Sequence, residues 1–258
     1  MQEFLSCAVE LAKQAGKIQL DSLKKDHHIE YKGAINLVTE VDKKCEALIV
    51  GTLAKHFPHH DILAEEGSGK RKQSEYRWII DPLDGTINYA HQFPFFCVSI
   101  ALEFQGELVL GVIFDPNRDE LFTAVKGEGA FLNGKRLQVS NSPDLVHALL
   151  ATGFAYNVQE EQADNLDHFA HFIKKARAVR RPGSAAIDLA WIACGRIDGF
   201  WELFLKPWDI AAGVVIIREA GGQVSSFDGG SFDVYGDEIL TSNGKIHQEM
   251  VDVLCQNR

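Results

Sequence analysis

Two aspartates three residues apart, Asp81 and Asp84, flank Pro82-Leu83 and run directly into Gly85, Thr86, Ile87 and Asn88. Carboxylates are hard oxygen donors, so such a pair beside a backbone carbonyl suits a divalent cation. Pro82 fixes the backbone between the acids, and Gly85 lets the chain come close to a ligand. A turn or short helix opening at Gly85-Thr86 would aim free N–H groups outward, which is how backbone receives phosphate. Cation and phosphate together are the ingredients of metal-assisted phosphoryl hydrolysis. The same letters also spell a plain turn, because Asp-Pro and Asp-Gly are common turn formers. Taken alone, D-P-x-D-G leaves the two readings even. The run continues through His91 and Pro94 to Val98-Ser99-Ile100, and that extension favours a site.

The elements around the pair can be read from spacing. Arg77-Trp78-Ile79-Ile80 reads as a buried strand that Pro82 stops, and Ile62-Leu63-Ala64 as a second short strand ending at Glu65-Glu66-Gly67. Upstream, residues 4–25 place Leu5, Ala8, Val9, Ala12, Ala15 and Ile18 on one helical stripe. A second helix is expected from Glu40 to His56 with Thr39 as its N-cap, which puts Asp42 in the first turn, where the helix dipole favours an acid. From Phe95 to Val139, strands at 97–104, 108–114 and 120–125 and a hairpin at Asn133-Gly134 predict an antiparallel meander. Beyond Pro143 the chain alternates strands at 149–154, 178–180, 199–203, 223–225 and 239–241 with helices at 161–176, 184–194, 209–220 and 245–255. The fold class is therefore mixed: α+β over residues 1–142 and α/β over 143–258, with the two halves expected to form one compact catalytic body.

Composition narrows the chemistry. The 258 residues carry 26 basic and 36 acidic side chains, a formal charge of −10. A surface of that sign repels a phosphate backbone and disfavours nonspecific nucleic-acid binding. It also means that a phosphorylated substrate needs cations to offset like-charge repulsion. Cys7, Cys45, Cys97, Cys194 and Cys255 are scattered with no C-x-x-C pair, which excludes a zinc ribbon and argues against disulfides. Most are expected to be small buried hydrophobes. The N-terminal stretch lacks the apolar segment of a signal peptide. Runs such as Val214–Ile217 fall far short of the roughly 20 residues that span a bilayer. No membrane association and a cytoplasmic location are expected.

Several blocks, in order and in register, resemble the inositol monophosphatase family over nearly the whole chain. Asp81-Pro82-Leu83-Asp84-Gly85-Thr86-Ile87-Asn88-Tyr89, continuing to Leu102, is similar to its first signature. Trp208-Asp209-Ile210-Ala211-Ala212, ending at Glu219-Ala220-Gly221-Gly222, is similar to its second. Leu37-Val38-Thr39 with Asp42, Glu65-Glu66, Lys126-Gly127, Arg180-Arg181-Pro182-Gly183-Ser184-Ala185-Ala186 and Asp198-Gly199-Phe200-Trp201-Glu202 complete the set. Leu205-Lys206-Pro207-Trp208-Asp209 is most similar to the bacterial SuhB branch. Asn36 and Ile87 depart from the frequent aspartate and threonine at those places.

The resemblance implies the layered αβαβα sandwich of the sugar-phosphatase superfamily. It implies Mg2+ held by Glu65, Asp81, the Leu83 carbonyl, Asp84 and Asp209, and a catalytic set of Asp42, Glu65 and Thr86. Substrate contacts implied are Asp84, Gly85, Thr86, Gly183, Ser184, Ala185, Glu202 and Asp209. The reaction implied is hydrolysis of inositol 1-phosphate, a small phosphorylated polyol, by direct attack of a metal-activated water, with sensitivity to lithium. The same core serves fructose bisphosphate, 3′-nucleotide and histidinol phosphate. A homodimer with Arg180-Arg181 near its interface is implied, as is a role in transcription antitermination through a protein partner.

Simpler roles stand beside these. Asp209 reads as the N-cap of an apolar helix, and Glu202 as the partner of Arg180, Arg181 or Arg196. Glu66 is expected in an outer or solvent-facing role. His56, His59 and His60 read as an exposed polar loop. His168 and His171, three apart on a helix, lack a third ligand, and Gly67-Ser68-Gly69-Lys70 is no P-loop.

Overall fold

The computed structural model describes residues 1–23, 29–32, 36–69, 72–155, 158 and 164–257, with backbone alone at 29–32, 36–39 and 257. Two helices, α1 (Gln2–Ser22) and α2 (Glu40–His56), follow one another around a short hairpin of β1 (Ile29–Lys32) and β2 (Asn36–Thr39). A seven-stranded sheet comes next: β3 (Asp61–Ala64), β4 (Tyr76–Asp84), β5 (Cys97–Phe104), β6 (Glu107–Asp115), β7 (Glu120–Val125), β8 (Gly129–Leu132) and β9 (Lys135–Arg136), adjacent in chain order. Only the β3–β4 pair is parallel, so the expected meander is present, with β3 added at its edge. The five-residue helix α3 (Thr86–Ala90) sits between β4 and β5.

The second half supplies β10 (Leu149–Thr152), α4 (Leu166–Lys175), β11 (Ala178–Arg180), α5 (Ala185–Ala193), β12 (Gly199–Leu203), α6 (Pro207–Glu219), β13 (Gln223–Ser225), β14 (Glu238–Ser242) and α7 (His247–Leu254). Its mixed five-stranded sheet runs β11-β10-β12-β14-β13. Helices α1 and α2 pack on one face of the large sheet, α5 and α6 lie between the sheets, and α4 and α7 cover the far face of the small sheet. These are five layers, αβαβα, the sandwich of the sugar-phosphatase superfamily.

Burial explains why the sequence reads this way. In β4, Trp78 and Ile80 enter the core under α1 and α2, whereas Ile79 enters the core between the sheets. A strand covered on both faces is apolar at every position. Every residue of α6 from Ile210 to Ile217 is buried, as a helix clamped between two sheets must be. Strand β4 does not stop at Pro82; it continues to Asp84. The strand over 149–154 ends at Thr152, and the helix predicted from 161 is seen from Leu166, its residues 161–163 lying outside those described. Residues 24 and 25 of the first predicted helix, and the side chains of Asn36 and Thr39, also lie outside them.

Candidate active site

Strand alternation alone would separate the two acids of the D-P-L-D run, because residues three apart point to opposite faces. The pairing shows how they meet. Asp81 lies opposite Ser99 and Asp84 opposite Cys97, so three steps on β4 match two on β5. The extra residue is a β-bulge at Pro82-Leu83, a place where a sheet tolerates proline. It resets the phase and turns both carboxylates to one side. Asp209 joins them from the first turn of α6. One oxygen from each of Asp81, Asp84 and Asp209 lies within 4.8 Å of the others.

Each acid is held by backbone. The Leu83 N–H donates to Asp81 Oδ1 (2.9 Å). Asp84 Oδ2 accepts from Ser184 Oγ (2.5 Å) and from the Ala186 N–H (2.8 Å) at the start of α5. Ser184 is also the N-cap of α5, so its hydroxyl serves Asp84 and the helix. Asp209 is not an N-cap: α6 begins at Pro207, and Asp209 Oδ2 accepts from the Lys206 N–H (2.7 Å), as the acid of a capping box does.

The cluster is electrostatically uncomfortable as a set of anions. Burial, then Glu65, Asp84 and Asp209, push the Asp81 carboxyl well above the usual range. Burial raises Asp84 to about 6 against the pull of its four hydrogen bonds, and burial with Asp84 raises Asp209 to about 7. A bound cation removes that cost. The donors fit a hard cation: all are carboxylate oxygens, and the neighbouring Cys97 thiol is held far above its ordinary value by burial, so it offers no thiolate.

Thr86 Oγ1 lies 3.1 Å from Asp42 Oδ1 and 3.1 Å from the Leu83 carbonyl. Thr86 lines the cavity, while Asp42 is fully buried against the Thr86 hydroxyl. Gly85 starts α3 at φ 94°, where a Cβ would stand 2.8 Å from the Phe95 carbonyl, so only glycine fits. Glu65 follows β3 and reaches the cavity beside Asp81. Its loop is tied down by Glu46, whose carboxylate accepts from the Glu66 N–H (2.7 Å), the Ser68 N–H (3.0 Å) and Ser68 Oγ.

The cluster opens on a cavity of about 830 Å³ whose walls include Gly183, Ala185, Asp188, Glu202 and Arg181. Of the three arginines weighed as partners for Glu202, Arg196 is held by Glu120 through two 2.5 Å bonds, and Arg180 bonds the Val179 carbonyl. Arg181 alone bears on Glu202, which burial, Asp209 and Asp84 still hold well above the carboxylate range.

All the proposed site residues except Asp42 thus reach one cavity. Spacing missed three others: Glu46, one helical turn after Asp42; Asp188, the lone acid in the apolar helix α5; and Gln19, whose Nε2 donates to the Pro82 carbonyl (2.9 Å). A polar residue inside an apolar stripe was the available signal for each. His60 is not an exposed loop residue; it accepts from Trp78 Nε1 (3.2 Å) and stacks on Phe57 and Tyr76. Of the five cysteines, none in a disulfide, only Cys45 and Cys97 are fully buried, fewer than expected. Among the described residues no helix is long and apolar enough to cross a membrane.

A bulged strand end and a carboxylate trio lining one cavity define a metal-site hydrolase of the sugar-phosphatase type. The inositol monophosphatase family model matches residues 1–257. An inositol-1-monophosphatase of Synechocystis sp. is 46% identical over 99% of this chain and 90% of its own length. The Nus factor SuhB of Escherichia coli (strain K12) is 41% identical over 97% of this chain and 95% of its own. The solved structure of an inositol monophosphatase from Anabaena (Nostoc) sp. superposes with a TM-score of 0.91 at 44% identity, covering 99% of this chain and 96% of that one. The chain belongs to the inositol monophosphatase family.

Proposed function

We propose that this phosphatase is Mg2+-dependent and hydrolyses inositol 1-phosphate to inositol and phosphate. The observation that carries the reading is the convergence of Asp81, Asp84 and Asp209 in the wall of one cavity. Glu65, Asp81, the Leu83 carbonyl, Asp84 and Asp209 would hold Mg2+, which when bound supplies Lewis acidity and offsets the charge of the ester. Gly85 and Thr86 line the cavity beside the trio and present their backbone to the phosphate. Thr86 donates its proton to Asp42 and so turns its own oxygen toward the attacking water. Glu65 and Thr86 then orient that water; its proton passes to Thr86 Oγ1 as the Thr86 hydroxyl proton moves to Asp42, the buried base behind it. Gly183, Ala185 and Glu202 face the polyol, and Ser184 fixes Asp84. No side-chain nucleophile is needed; a trapped phospho-aspartate would refute direct attack.

In this reading the chain works as a single catalytic body, as a cytoplasmic homodimer inhibited by lithium. The test is phosphate release from inositol 1-phosphate, a 3′-nucleotide, histidinol phosphate and fructose bisphosphate, each with Mg2+ and with chelator. Fastest Mg2+-dependent turnover of inositol 1-phosphate supports it, and preference for another ester transfers the assignment to that substrate. A second role follows from the likeness to the E. coli Nus factor: binding a protein of the transcription machinery. An Asp84→Asn chain that lost phosphatase activity but kept such a cellular role would support it.

A further inference from the structure

One carboxyl group in the cavity is left over by that mechanism. Asp188 is the fourth residue of α5, whose other residues are all apolar (Ala-Ala-Ile-Asp-Leu-Ala-Trp-Ile-Ala). It is 2% exposed and lines the cavity, yet no described residue donates to its Oδ1. Helical side chains lean toward the helix N-terminus, here toward Ser184 and Ala185 on the cavity wall. Burying a polar group without a partner opposes folding. A residue kept at such a cost to the fold is characteristic of a site that serves a ligand. Glu202 provides the second half of the arrangement. It is 7% exposed, lines the same cavity, and its charge reaches Asp188. Its carboxylate packs on Gly153, where a Cβ would stand 2.3 Å from Oε2, so the chain leaves room for it.

We infer that Asp188 is a specificity-determining residue that, with Glu202, forms a pair of acceptors for neighbouring hydroxyls on the alcohol part of the substrate. The inference rests on the phosphomonoesterase reading above and narrows its substrate class. The favoured esters are those whose alcohol carries donors on adjacent carbons away from the phosphate. An ester of a phenol leaves both carboxyls without donors, and a site built around polar partners discriminates strongly against such a ligand.

The experiment compares wild type, Asp188→Ala and Asp188→Asn by KM and kcat on inositol 1-phosphate and p-nitrophenyl phosphate with Mg2+, alongside thermal melts. The preference of wild type for inositol 1-phosphate is expected to fall about tenfold in Asp188→Ala, chiefly through KM, the size of one hydrogen bond. Asp188→Asn, which keeps one acceptor, is expected to fall between. Both variants are expected to melt at or above wild type. Equal losses on both esters, an unaltered preference, or a melting temperature several degrees lower would overturn the inference and make Asp188 structural. A wild type inert toward both esters would overturn the phosphatase reading, and the inference with it.

Discussion

Glu46 touches no substrate, yet its replacement should reveal how the site is held. It is 2% exposed on α2, one turn beyond Asp42, and receives two backbone N–H groups and one hydroxyl from the loop after Glu65. Hydrogen bonds to a charged acceptor are worth about 1.5–3 kcal/mol each. Ser68 is exposed and Glu66 half-buried, so water can reach the released groups and the lower figure applies. Two backbone bonds then give about 3 kcal/mol for Glu46→Ala. At about 2–4 °C per kcal/mol for a chain near this size, the melting temperature should drop by roughly 6–12 °C. Glu46→Gln, which keeps one acceptor oxygen, should lose less than half of that. Because the same loop presents Glu65, the Mg2+ concentration for half-maximal activity should rise severalfold in Glu46→Ala, with a smaller change in substrate KM. Differential scanning fluorimetry and a Mg2+ titration of phosphate release measure the two effects. A melting temperature within about 2 °C of wild type, with an unchanged Mg2+ requirement, would refute the anchoring role.

Three further outcomes follow from the carboxylate trio and its neighbours. Asp84→Asn should lower kcat at least about 100-fold and abolish most of the rise in melting temperature that Mg2+ gives wild type, since a ligand stabilises only what it binds; both are read in one titration. Asp84 and Asp209, raised to about 6 and about 7 in the folded chain, contribute stability that is present below their unfolded values and lost as pH rises through those figures. The gap in melting temperature between Mg2+-loaded and chelated protein should therefore widen from about pH 5 to about pH 8, because protons compete with the cation at the lower pH; a constant gap would contradict this. Thr86→Val, which removes the hydroxyl between Asp42 and the cavity, should lower kcat by about 100-fold or more with little change in KM, measured by steady-state phosphate release.

Much of the fold was legible because burial leaves a periodic trace. The stripe of Leu5, Ala8, Ala12 and Ala15 gave α1, the Asn133-Gly134 turn gave the last hairpin, and the apolar run 210–217 gave a helix that is covered all round. The D-P-L-D run was legible as a site but not as a shape. Proline in a strand usually ends it, and nothing local says that a one-residue bulge will carry β4 past Pro82 and rotate Asp84 beside Asp81. Asp209 misled in a milder way, because an acid after Pro207 serves equally as N-cap or as third residue, and the choice depends on where the first turn closes. Glu46, Asp188 and Gln19 each depend on a partner distant in sequence: the loop at 66–68, the cavity shared with Glu202, and the Pro82 carbonyl. Spacing within one helix flags such residues as polar misfits and stops there. His60 shows the converse, a residue of polar surroundings in sequence that the aromatic rings of Phe57, Tyr76 and Trp78 collect into a stack.

The most direct test of whether Asp81, Asp84 and Asp209 form a cation site is anomalous diffraction from crystals grown with Mn2+, a stand-in for Mg2+ with its own X-ray signature. A peak bonded to oxygens of all three aspartates, at about 2.0–2.3 Å, with Glu65 turned toward it, is the expected result. Crystals that diffract well but show no peak there, or show it bound elsewhere on this acidic chain, would contradict it.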